Sequence, residues 1–101
     1  MMKIIKIVDG QISIVNERGI ALFPKFGKDV VMAFYNEKQD LIVATFNNGK
    51  VELLTERGLV KRTIINSGIV NARFIDNDIF VETQKGETEI RSQTGLLKRK
   101  I

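Results

Sequence analysis

The sequence contains no cysteine, no histidine and no tryptophan, and only one proline, in 101 residues. Without cysteine there is no disulfide framework, thiolate nucleophile, zinc-thiolate site or iron-sulfur cluster. Without histidine there is no imidazole base or ligand, so Ser-His-Asp and Cys-His enzymes are excluded. Long apolar runs are also missing: the longest are about six residues, against the roughly 20 of a membrane-spanning helix. The N-terminal stretch Met1 to Val8 is broken by Lys3 and Lys6 and ends at the turn pair Asp9-Gly10, unlike a signal peptide. These absences predict a soluble cytoplasmic protein that does not engage a membrane.

Chemical motifs are equally sparse. Neither a G-x-x-x-x-G-K-[ST] nor a G-x-G-x-x-G phosphate loop occurs. Asp76-Asn77-Asp78 lacks the glycine and glutamate spacing of an EF-hand and reads as a turn. The 12 acidic residues are spread over turns and strand faces with no pair singled out for acid-base work. The expectation is a protein without enzymatic activity, cofactor or metal.

What remains is ordinary globular material, 44% hydrophobic and 28% charged with a net charge of +4, enough for one small domain. Short segments rich in Ile, Val, Phe and Thr alternate with Gly, Asn and Asp, a pattern of strands and tight turns. Three hairpin signals, Val8-Asp9-Gly10-Gln11, Asn47-Asn48-Gly49-Lys50 and Gln84-Lys85-Gly86-Glu87, are each followed nine residues after their glycine by a second, at Gly19, Gly58 and Gly95. The units begin 39 and then 37 residues apart, which is an internal repeat. Matching positions share chemistry: Ile12, Val51 and Thr88, then Ile14, Leu53 and Ile90, separated by Ser13, Glu52 and Glu89. Upstream, Val30 to Tyr35 matches Ile69 to Phe74 at the 39-residue shift.

Each full unit therefore reads as four strands, a to d, giving eleven strands over units 3–24 (b-c-d), 30–65 (a-b-c-d) and 69–101 (a-b-c-d). Strands a and b are nearly continuous apolar runs, which predicts cover on both faces; strand c alternates; strand d carries Lys61-Arg62 or Lys98-Arg99-Lys100, as sheet edges do. One ambiguity is Asp29 to Lys38, whose apolar residues also fit one side of a helix capped by Asp29. The strand composition of its counterpart Ile69 to Phe74 favours a strand.

Asn48 to Ile64, with its glycine turn, alternating strand, polar turn ending in Gly58 and final strand, resembles the b-c-d hairpins of WD40-like β-propellers. The Trp-Asp and Gly-His signatures are absent, since the chain has neither Trp nor His. The resemblance implies an all-β fold of antiparallel, blade-like four-stranded meanders and a role as a protein-protein interaction scaffold, and it identifies no functional residue. The alternative architecture is a single-chain β-barrel or sandwich. Fewer than three blades do not close a ring, so the blade reading implies self-association, a homodimer of six blades being preferred, or membership of a larger assembly. Such bare blade repeats would suit a virion component or an accessory factor of a phage or bacterium.

Two other functions follow from residue chemistry. The basic outer strands and a pI near 9.6 would suit nucleic acid, and gaps between blades would suit a small molecule or sugar. One loop departs from the repeat, Pro24-Lys25-Phe26-Gly27-Lys28-Asp29. Its phenylalanine either caps the core or is displayed for a partner. In propellers the d-a and b-c loops share a face, so Lys25, Phe26, Lys28, Asn47, Asn48, Lys50 and Lys85 are the candidate binding residues.

Overall fold

The computed structural model describes residues 3–101 and has no helix among them. Its strands are β1 (Ile4–Val8), β2 (Gln11–Val15), β3 (Val30–Asn36), β4 (Leu41–Phe46), β5 (Val51–Thr55), β6 (Val60–Ile65), β7 (Ile69–Ile75), β8 (Asp78–Thr83), β9 (Thr88–Arg91) and β10 (Leu97–Lys100). They form three antiparallel sheets: a hairpin β1-β2 and two four-stranded meanders, β3-β4-β5-β6 and β7-β8-β9-β10. The fold is thus all-β, and the two meanders coincide with the two full repeat units. The sheets are not closed into a barrel, which removes the barrel alternative.

Local turn chemistry explains most of the hairpins. Asp9 and Gly10 both take positive φ, 52° and 77°, the backbone of the two-residue turns that match strand twist. The turns opened by Asn16, Thr55, Thr83 and Ser92 share another design. In each the opening carbonyl accepts from the glycine N–H three residues on (2.9–3.0 Å). The opening side-chain oxygen accepts from the N–H four residues on (3.1–3.3 Å). A short polar side chain at that position therefore closes the turn twice. Asp29 to Lys38 is strand, not helix: β3 pairs with β4 from Val30↔Phe46 to Asn36↔Leu41.

The eleventh expected strand, the last of the first unit, does not form. Residues 20–26 touch β2 only at the bridges Val15↔Ala21 and Ile12↔Phe26. Six residues there, Ala21 to Phe26, span four on β2, and Pro24 sits within the excess. A proline offers no N–H to a ladder, so the segment arches away between its two anchors.

The three sheets stack face to face around two cores. Ile12 and Ile14 of the first sheet pack with Val30, Ile42, Ala44 and Leu54 of the second. Leu41, Val43, Val51, Leu53 and Ile64 on the second sheet's other face meet Ile69, Ala72, Ile79 and Val81 of the third. Alternate residues of β4 serve opposite cores, which is why Leu41 to Thr45 are all buried, whereas β8 is buried on one face only and β1 is largely exposed, so two-sided cover of strand b holds in the middle sheet alone. The same expectation fails for strand a. On β3 and β7 the residues Val31, Phe34, Val70 and Ile75 are 41–53% exposed, because these strands end their sheets and their outer edges have no neighbouring strand.

Neighbouring sheets are joined by the same backbone bonds at both junctions. The Val30 N–H donates to the Gly10 carbonyl (3.0 Å) and the Ile69 N–H to that of Gly49 (3.1 Å). Beside each of these links the a-b pair of the receiving sheet is extended by one more rung, the Asn47 N–H donating to the Asp29 carbonyl and the Gln84 N–H to that of Gly68, both at 2.9 Å. The sheets approach most closely along β1–β3, β3–β7 and β4–β7, with β6 and β10 outside these contacts. The stack is therefore tightest along strands a and b, while β6 reaches the third sheet through Ile64, which lies in the second core and beside Gly95.

Candidate functional site

The d-a loop of the first unit and the b-c hairpin of the second enclose a groove of about 470 Å³, lined by Phe26, Lys28, Asn47, Asn48 and Lys50 together with Asp29, Phe46, Glu52, Leu54 and Val60. Five of the seven residues singled out by sequence thus share one groove. Lys85 lines the repeat-equivalent groove of about 300 Å³ at the next junction, with Ile65, Ser67, Gln84 and Glu87. Lys25 is exposed and borders neither groove. The expected single face is therefore two similar grooves, one per junction.

Phe26 does the work of a core cap and lines the groove as well. Its N–H and carbonyl both pair with Ile12, at 3.1 and 2.7 Å, and its half-buried ring packs on the first core. The ring also lies against Gly58, where an added Cβ would come within 2.7 Å of the Phe26 Cγ. Glycine at position 58 is what lets the arched segment sit down on the second sheet. Lys50 is held in place: its Nζ is 3.3 Å from Glu52 Oε2 and 4.8 Å from the centre of the Phe46 ring. With Lys50 engaged by Glu52 and Lys28 followed by Asp29, the groove carries little net charge. It offers an apolar floor and a rim of amide and ammonium donors, the makings of a contact surface for a neutral polar group or a protein loop.

A second polar cluster sits at the first junction and was missed by sequence reasoning. Lys3 ion-pairs with Glu56 and lies 3.6 Å from Asp40, while the Tyr35 hydroxyl donates to Asp40 and to Glu56 (3.1 Å). The Glu56 carboxylate holds the Lys3 ammonium well above its ordinary range. Burial, reinforced by the bond to Asp40, pushes the Tyr35 hydroxyl up to about 12, and that same bond holds the Asp40 carboxyl down. Lys3, the Tyr35–Asp40 hairpin and Glu56 come from three distant parts of the chain, and the local signal is that Lys3, one residue before Ile4, takes the place of Leu41 in the next unit. The cluster ties the first sheet to the second, and its donors and acceptors are spent on one another.

On the outer strands, Lys61, Arg62, Lys98, Arg99 and Lys100 are all exposed. Lys98 pairs with Asp78 at 2.7 Å and Lys100 with Glu87 at 3.6 Å, so part of the basic edge is neutralised within its own sheet. Neither a scan of protein-family models nor a search of curated proteins returns a match to this chain. Functional inference therefore rests on the residues and their arrangement.

Proposed function

We propose that this protein is a non-enzymatic structural and binding module whose sheets are propeller-like blades, and that it works as an assembly of several copies presenting the inter-sheet grooves to partners. The observation that carries this reading is the asymmetry of the stack. The sheets approach most closely along strands a and b, the crowding expected of blades near a shared axis.

The edge chemistry follows the same direction. The strand d edge bears lysine and arginine, which protect a strand exposed to water. The strand a edge bears exposed Val31, Phe34, Val70 and Ile75, an unprotected apolar row that would invite aggregation unless an assembly sheltered it around its axis. Glutamate at Val31 and Val70 together tests the reading by light scattering. The wild-type chain is expected at a multiple of 11.4 kDa and the variant at the monomer mass with its strand spectrum intact; equal masses for both would overturn the proposal.

A further inference from the structure

The repeat fixes which face of each sheet meets which neighbour. The register pairs Ile5↔Ile14, Val43↔Leu53 and Phe80↔Ile90 are equivalent in the three sheets, and they define a front face. The front of the first sheet is covered by the back of the second, and that of the second by the back of the third. The front of the third sheet has no sheet over it. Its centre stays apolar, with Ile90 shielded to 4% exposure yet part of neither core. The Arg73 guanidinium lies 4.7 Å from the centre of the Phe80 ring on the same face. At the other end of the stack, no sheet among the described residues covers the back of the first sheet, which carries Ile4 and Lys6 beside Val15 and Ser13, each shielded to 5% exposure.

Two charges separate these end faces from the inner ones. Glu82, paired with Thr88, stands on the open front where the inner sheets have Ile7 and Thr45. Lys6, paired with Ser13, stands on the open back where the other sheets have Ala44 and Val81. Among the described residues neither makes an ion pair.

The turns at the corners tell the same story. A Cβ on Gly10 or Gly49 would meet the following sheet's Asp29 N at 3.1 Å or Gly68 N at 2.5 Å, but the equivalent Gly86 faces open space. A Cβ on Gly58 or Gly95 would meet the preceding segment's Phe26 at 2.7 Å or Ile64 at 2.9 Å, but the equivalent Gly19 faces open space. The contacts that build each internal junction are thus half-present at each end.

We infer that the front of the third sheet docks on the back of the first sheet of a second copy, head to tail, with Phe80 and Ile90 against Ile4 and with Glu82 meeting Lys6. This inference rests on the self-assembly proposed above and names the faces that carry it. A second copy is the occupant because the two open faces belong to one chain, continue its own stacking and set an unpaired Glu82 on one against an unpaired Lys6 on the other. Head-to-tail contacts close into a ring or run on as a filament, and the closer approach along strands a and b turns successive copies toward a ring.

The chain is free of cysteine, so two introduced thiols report cleanly. Mixing the Lys6→Cys and Glu82→Cys variants under oxidation is expected to give a disulfide-linked pair, while each variant alone gives none. Charge reversal supplies an independent arm. Lys6→Glu is expected to weaken association about tenfold, at the low end of coupling for close charges across interfaces, and adding Glu82→Lys to restore it. Self-cross-linking of Glu82→Cys would show fronts meeting fronts and overturn the proposal. An assembled wild type with neither mixed cross-links nor a charge effect would overturn these faces while leaving self-assembly standing. A wild type that is monomeric at every concentration would overturn both.

Discussion

Thr45 is 1% exposed in the middle of β4, and its Oγ1 has no hydrogen-bond partner. A buried hydroxyl that exchanges water for nothing costs free energy, and Val has nearly the same shape. Thr45→Val is therefore expected to stabilise the fold by about 1 kcal/mol, raising the melting temperature by about 5 °C; a calorimetric scan checks this. The Lys3–Tyr35–Asp40–Glu56 cluster makes a second prediction, about pH. The folded state raises both Lys3 and Tyr35 above their ordinary values of 10.5 and 10.0. Their stabilisation is complete below pH 10 and drains away as pH rises through about 12, the value for Tyr35 in the fold. Asp40, held below its ordinary 3.8, contributes above that pH and loses its contribution in acid. Tyr35→Phe is expected to flatten the alkaline loss by an amount of order 1 kcal/mol, limited by solvent screening, in denaturant titrations at pH 9 and pH 12.

At the scale of the element, the hairpins were legible because their causes are local. Asp9-Gly10, Asn47-Asn48-Gly49 and the short polar residues that open the other turns dictate their own backbone, and the alternation beyond them sets the faces. Strand b of the middle sheet was legible for a different reason, since only a strand between two cores needs Leu41 to Thr45 to be buried without a break. What local sequence could not show is which edge has a neighbour. Strand a looks as apolar as strand b, yet Val31 and Val70 lie in solvent. The first unit's last strand failed to form because a proline-containing segment has more residues than its partner strand can match. The repeated hairpins also allow a controlled comparison. Gly49 and Gly86 have the same φ of 85°, but only at Gly49 would a Cβ strike the next sheet. Alanine is expected to cost about 1 kcal/mol at Gly86, from backbone strain alone, and about 3 kcal/mol at Gly49, where overpacking is added. Urea unfolding of the two variants measures the difference, which is the cost of forcing two sheets apart.

At the scale of the molecule, three sheets repeat one junction twice and leave its two halves open at the ends. The candidate site was partly legible for the same reason: Phe26, Lys28, Asn47, Asn48 and Lys50 meet because the d-a loop of one unit and the b-c turn of the next flank every junction. Lys85 falls in the second groove because the repeat makes two such places. The cluster around Lys3 was hidden because it depends on which sheet faces which, information that lies between units and in no one of them. Solution mass across concentration, by sedimentation equilibrium, tests the whole account most directly. It predicts a stable species at a multiple of the 11.4 kDa chain mass, two copies being the preferred number. A species that stays at 11.4 kDa up to millimolar concentration would contradict it.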